Sequence, residues 1–213
     1  MEKQYSLKEE TLNAITHGLG TLLSISGLIF LVFLSFNVGT TLTLVTSIIY
    51  GVSLIMLYSS STLYHSFKDP RITKILRTVD HCSIFLLIAG TYTPFTLITL
   101  NGSIGYILFS VIWIFAIIGI VLNIVDLKKY AKLSLICYVA MGWSIIFAIK
   151  PLVENLNRNG LILLVAGGLF YTVGIIFYKM KKTQYMHAVW HIFVLMGSVS
   201  HFIAVALYVI PKN

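Results

Sequence analysis

Charge is what this sequence has least of. Charged residues make up 10% of its 213 positions, against roughly 25% in a soluble domain. Apolar residues make up 58%, and mean hydropathy is +0.92. No soluble core of this size could hide so much apolar surface, so the bilayer must serve as solvent. Acidic residues are the scarcer sign, 7 against 15 Lys and Arg, which leaves a net charge of +8. Such basicity can mark nucleic-acid binding. Here the cations lie in short connections between apolar runs and form no basic domain, which excludes nucleic acid as a partner. Cysteine is limited to Cys82 and Cys137. Both lie in apolar segments without CxxC spacing and read as small buried apolar residues. The polar stretch Met1–Asn13 has Glu2, Glu9 and Glu10 but no basic start, short apolar run or cleavage site. It is therefore not read as a signal peptide, and the first apolar segment is a retained helix.

What is present is apolar length. A helix needs about 20 mostly apolar residues to cross the hydrocarbon. Seven such segments are read: Ala14–Phe36, Leu42–Tyr64, Val79–Leu100, Ile104–Val125, Leu133–Ile149, Leu161–Tyr178 and His187–Val209. Pro94 is expected to kink the third, with Gly90 and neighbouring threonines answering the freed backbone groups. No linker or low-complexity tract interrupts the chain. The expected fold is all-α, one seven-helix membrane domain over residues 1–213, multi-pass in the cell membrane.

Basic residues orient such a bundle, because cytoplasmic loops are enriched in them. Twelve of the fifteen cations fall on one side: Lys3 and Lys8, then Lys68, Arg71, Lys74 and Arg77, then Lys128, Lys129 and Lys132, then Lys179, Lys181 and Lys182. Lys150, Arg158 and Lys212 fall on the other. The N-terminus is therefore expected in the cytoplasm and the C-terminus outside.

Ionisable groups within a membrane are destabilising by about 2.5–3.5 kcal/mol or more, and they mark function by default. The set here is Glu10, His17, His65, Asp80, His81, His187, His191 and His201. With the topology above, His17, His65, Asp80, His187 and His191 come to one depth, at the cytoplasmic ends of four helices. His187 and His191 are four residues apart, one turn on the same helical face. With His65 on another helix they match the three-imidazole arrangement of catalytic zinc. Ser61 lies one turn before His65. It is either a serine bonded to its own helix or a donor to the site. Glu10, Asn13 and His17 form one stripe on the first helix. They are either a helix cap with interfacial polarity or a polar layer orienting the site. Asp80 and His81 diverge by about 100° on a helix; Asp80 is the functional choice, with Arg77 as an alternative partner, and His81 is assigned to packing. His201 is about 15 Å deeper by helical rise and reads as structural.

Three motifs resemble those of the progestin and adiponectin receptor family, whose bacterial branch is called hemolysin III. They are Glu10-x-x-Asn13-x-x-x-His17, then Ser61-x-x-x-His65 followed by Asp80, then His187-x-x-x-His191. The resemblance covers the whole chain. It implies that His65, His187 and His191 bind zinc and that Asp80 contacts the metal through water. It also implies a hydrolase of lipid amides or esters acting in membrane lipid homeostasis, with a membrane lipid as partner. The alternatives are a pore-forming cytolysin and a non-catalytic sensor with structural zinc.

Overall fold

The computed structural model describes residues 5–211, and every regular element within them is helical. Glu2, and Lys3 and Lys212 from the charge count, lie outside the described residues. The helices are α1 (Leu7–Val38), α2 (Thr41–Ser66), α3 (Pro70–Pro94), α4 (Gly102–Trp143), α5 (Ile149–Asn155), α6 (Arg158–Lys179) and α7 (Met186–Ala204).

Local chemistry sets their ends. Ser6 caps α1 by accepting the Glu9 N–H, while the Glu9 carboxylate accepts the Ser6 N–H, a reciprocal capping box. Gly39 closes α1 at φ 77°, a left-handed conformation that only glycine adopts without steric penalty. Asp69 starts α3 by accepting the Arg71 and Ile72 N–H groups, with Pro70 at the first position, where a missing N–H leaves nothing unpaired. The helix therefore begins nine residues before the expected Val79 and includes the basic stretch read as a loop. Pro94 ends α3, and a π turn, Phe95–Leu100, follows. Thr91, Thr93 and Thr96 donate their hydroxyls to the carbonyls of Leu87, Ala89 and Tyr92 around this irregularity.

Among the described residues, six helical runs are long and apolar enough to cross a membrane: Leu7–Val38, Thr41–Ser66, Pro70–Leu100, Gly102–Asn155, Arg158–Lys179 and Met186–Val209. The fourth has 54 residues and is not straight. Asp126 leaves helical geometry (φ −159°, ψ 92°), and its carboxylate accepts the Lys129 N–H as an N-cap does. Beyond it the chain doubles back. Ser134 Oγ donates to Asn123 Oδ1 at 2.6 Å, although eleven residues of unbroken helix span about 16 Å. The segments expected at Ile104–Val125 and Leu133–Ile149 lie on either side of this break.

Around the bundle α1 packs on α2 and α7, α2 on α3, α3 on α4, and α6 on α7. The outward surface is apolar, with Ile29, Val125 and Phe147 largely exposed. Ser24, Ser35, Thr46 and Ser47 are buried instead. Ser24, Ser35 and Thr46 donate to carbonyls one turn back on their own helices. Apolar residues outside and satisfied hydroxyls inside are the distribution a lipid solvent favours.

Candidate metal centre

Four helices deliver the polar residues to one end of the bundle. The start of α1 carries Glu10, Asn13 and His17; the end of α2 carries Ser61 and His65. Asp80 is on α3, and His187 and His191 open α7. Gly20 allows α1 to approach closely, since a Cβ there would overlap the Tyr58 ring. That same ring meets His17 edge-on at 5.0 Å.

The coordinating atoms of His65, His187 and His191 all lie within 4.8 Å of one another, so this group can hold a metal ion. His65 and His191 are buried, and His187 is half-buried. The hydrogen bonds set the tautomers. His65 Nδ1 lies 2.5 Å from Glu10 Oε2. His191 Nδ1 lies 3.3 Å from the Asn13 carbonyl and 3.1 Å from Thr16 Oγ1. A carbonyl only accepts, and Thr16 already donates its hydroxyl to it, so the proton resides on His191 Nδ1. Donation to the Glu10 carboxylate likewise places the His65 proton on Nδ1. The Nε2 atoms of both rings are buried without a hydrogen-bond partner. Buried polar atoms are rarely left so. Two such lone pairs facing a third imidazole suit a divalent ion, and carboxylate or carbonyl support at the far ring nitrogen is the usual way a ligating histidine is held.

Asp80 is 7% exposed. It lies within electrostatic reach of His65 and Arg77, and beside Ser61, whose buried Oγ has no formed hydrogen bond. His81, expected to diverge from Asp80, has Nδ1 3.5 Å from Asp80 Oδ2 while also contacting the Arg77 carbonyl at 2.9 Å. Side-chain reach overcomes the helical angle between them. His17 does not join the three-histidine group. It stacks on His191 at 3.5 Å, and both its nitrogens, like both side-chain polar atoms of Asn13, are buried without partners. His201 stands apart, with Nε2 3.0 Å from the Leu164 carbonyl.

Several residues that carry little sequence signal also stand at the centre. The Tyr5 ring lies tilted against His187, with centroids 5.1 Å apart. Burial, then the neighbouring Tyr64 and Glu10, push its hydroxyl above the ordinary phenol value, so it remains a donor. Thr16 supports His191. Glu9 accepts the Tyr185 N–H at 3.2 Å, tying the start of α1 to the start of α7. Of these, only the Ser6-x-x-Glu9 pattern was visible as a motif. It accounts for the helix cap and leaves Glu10 available to His65.

A cavity of about 250 Å³ adjoins the centre between α3, α4, α6 and α7. His17, Asp80 and His187 line it, together with Leu87, Val139 and Trp143. A groove of about 790 Å³ reaches His65 and Glu10 from the α1–α2 side.

Residues 5–202 match the family described as Haemolysin-III related. Among similar proteins, Hemolysin-3 of Bacillus cereus is 50% identical over 205 residues, covering 96% of this chain and 94% of that one. The Hemolysin-3 homolog of Bacillus subtilis (strain 168) is 47% identical over 204 residues, 96% of each chain. The human Monocyte to macrophage differentiation factor is 32% identical over 174 residues, covering 77% of this chain and 70% of that protein.

Proposed function

The chain belongs to the haemolysin-III-related family, the bacterial branch of the progestin and adiponectin receptors, and is a multi-pass membrane protein; on that footing we propose that it is a zinc-dependent hydrolase of lipid amide or ester bonds. The observation that carries this reading is the convergence of the unpartnered His65 and His191 Nε2 atoms on His187. His65, His187 and His191 would hold the ion, with Glu10 and the Asn13 carbonyl fixing two of the rings. Zinc held by neutral imidazoles supplies Lewis acidity, polarising an acyl carbonyl and acidifying water toward neutral pH. Asp80 orients the attacking water and takes its proton. Ser61, beside it, donates toward the oxygen on which charge develops. Asn13 and His17 form the polar wall behind His191. The apolar side of the cavity receives the acyl part of the substrate.

The topology proposed with this function has seven crossings, N-terminus in the cytoplasm and C-terminus outside. The break at Asp126 supports it, since each part of the 54-residue run is long enough to span. The basic residues support the orientation. The metal centre then faces the cytoplasmic leaflet.

Asp80→Asn tests the chemistry. The variant should keep its metal while turnover of a ceramide or an acyl ester falls by about 10²–10⁴-fold, the range for a lost general base. Undiminished turnover would remove Asp80 from the mechanism. Leakage of liposomes by the purified protein, insensitive to chelators, would favour a pore over the enzyme.

A further inference from the structure

The cavity beside the metal centre runs inward past an apolar middle to a second polar end. Along α3 its lining passes from Asp80 through Ile84, Leu87 and Ile88 to Thr91 and Tyr92, one face of the helix. Along α7 it passes from His187 through Val194 to His201. The donors at this inner end are already engaged. Thr91 donates to the Leu87 carbonyl at 2.7 Å, Tyr92 to the Gly142 carbonyl at 3.0 Å and Thr172 to the Gly168 carbonyl at 2.7 Å, while Trp143 Nε1 donates to Thr172 Oγ1 at 3.1 Å. His201 differs from them. Its Nε2 meets the Leu164 carbonyl, which can only accept, so the proton sits on Nε2 and Nδ1 carries a lone pair. A Cβ at Gly167 would meet His201 Cδ2 and Nε2. That edge of the ring is therefore packed on α6, and Nδ1, at the opposite corner, is turned away from it. Nδ1 is buried and has no hydrogen-bond partner among the described residues. A lone acceptor at this depth in hydrocarbon is destabilising until a donor meets it.

We propose that His201 Nδ1 accepts a hydrogen bond from a hydroxyl on the hydrocarbon chain of the lipid, so that the cavity takes hydroxylated acyl chains in preference to plain ones. A hydroxyl is small, uncharged and a donor, which is what the inner end lacks. A carbonyl has no proton to give, and an ammonium would bring an unpaired charge into hydrocarbon. The position of the hydroxyl follows from depth. His201 lies about 15 Å beyond His191 by helical rise. An extended chain advances about 1.3 Å per carbon, given single bonds near 1.5 Å. With the acyl carbon at the metal centre, the hydroxyl falls at about the twelfth carbon. This register rests on the hydrolase reading, which places the acyl carbon; the acceptor itself does not.

Free acids test this apart from catalysis, because they hold no bond to hydrolyse. The full-length protein, purified in a non-ionic detergent, is titrated with octadecanoic, 2-hydroxyoctadecanoic and 12-hydroxyoctadecanoic acid, and binding is read by native mass spectrometry. The 12-hydroxy acid should bind about three- to tenfold more tightly than the other two, the worth of one hydrogen bond. That preference should vanish in His201→Phe, which keeps a ring but removes the acceptor, while octadecanoic acid still binds. It should persist in Ser200→Ala, which removes a neighbouring hydroxyl that does not line the cavity. Equal binding of the three acids by the wild type would overturn the proposal and leave Nδ1 to water. So would an equal gain from the 2-hydroxy acid, or a preference that survives in His201→Phe. The wild-type series needs no variant, so it decides the matter even if His201→Phe misfolds. Ceramide turnover is read separately. Hydrolysis without any chain preference removes the hydroxyl site alone, and a 12-hydroxy preference without hydrolysis of any acyl bond removes the hydrolase reading alone.

Discussion

Two buried histidine environments in this bundle each leave a ring nitrogen unpartnered, and they differ in whether those nitrogens converge. At the end where α1 begins, His65 and His191 each engage Nδ1 with an oxygen and leave Nε2 unpartnered, turned toward His187. Deeper along α7, His201 is solitary. Its Nε2 meets the Leu164 carbonyl, and its ring lies edge-on to Tyr171 at 5.5 Å. The neighbouring hydroxyls satisfy one another: Tyr58 donates to Ser198 Oγ at 2.7 Å, and Tyr171 is 2.8 Å from the same atom. Burial is common to both environments. Convergence of lone pairs is not, and convergence is what a metal ion requires.

Substitution can break that contrast. The largest effect is expected for His191→Ala, which removes one of three ligands. Metal per chain, measured by elemental analysis, should fall to background. The equivalent change at the other site, His201→Ala, should leave it at the wild-type level, and equal metal in His191→Ala and wild type would refute the centre. Glu10→Gln comes next. It keeps the shape but removes the charge on His65 Nδ1, and metal affinity from a chelator titration should weaken about 10–100-fold. If affinity is unchanged, Glu10 is only an interfacial residue.

Smaller effects belong to the deeper site. His201→Asn leaves the Leu164 carbonyl without its imidazole donor and should lower stability by about 1–3 kcal/mol, read as the thermal midpoint in detergent with metal content constant. A fall in metal content would mean that the two sites are coupled. Ser198→Ala removes one hydroxyl shared by two tyrosines and should lower stability by about 1 kcal/mol. A loss well beyond that would show the tyrosine–serine cluster to be a structural keystone rather than ordinary packing.

The sequence made parts of this arrangement legible. The His187–His191 spacing and the polarity near the ends of α1, α2 and α3 depend only on helical periodicity and on what a bilayer tolerates, and both are local. Tyr5 and Thr16 carried no such mark, since each acquires its position only through a partner about 180 residues away on α7. Glu10 stood between two readings because a helix start favours any acidic residue. The Ser6–Glu9 box occupies the cap and leaves Glu10 within hydrogen-bond distance of His65. The start of α3 was misplaced because hydropathy marks the membrane portion of a helix, whereas Asp69 and Pro70 begin it in water-facing sequence.

By itself the sequence determined that this chain is helical, membrane-embedded and furnished with histidines near the ends of several helices. Hydropathy, spacing and composition are properties of the chain alone. Only the tertiary structure decided which of those histidines share a point in space and which nitrogen each presents. It also decided that Asp80, Arg77 and Lys181 line one cavity. Those outcomes depend on how α1, α2, α3 and α7 rotate against one another, and helix rotation is set by close packing such as Gly20 against Tyr58, which no single helix encodes.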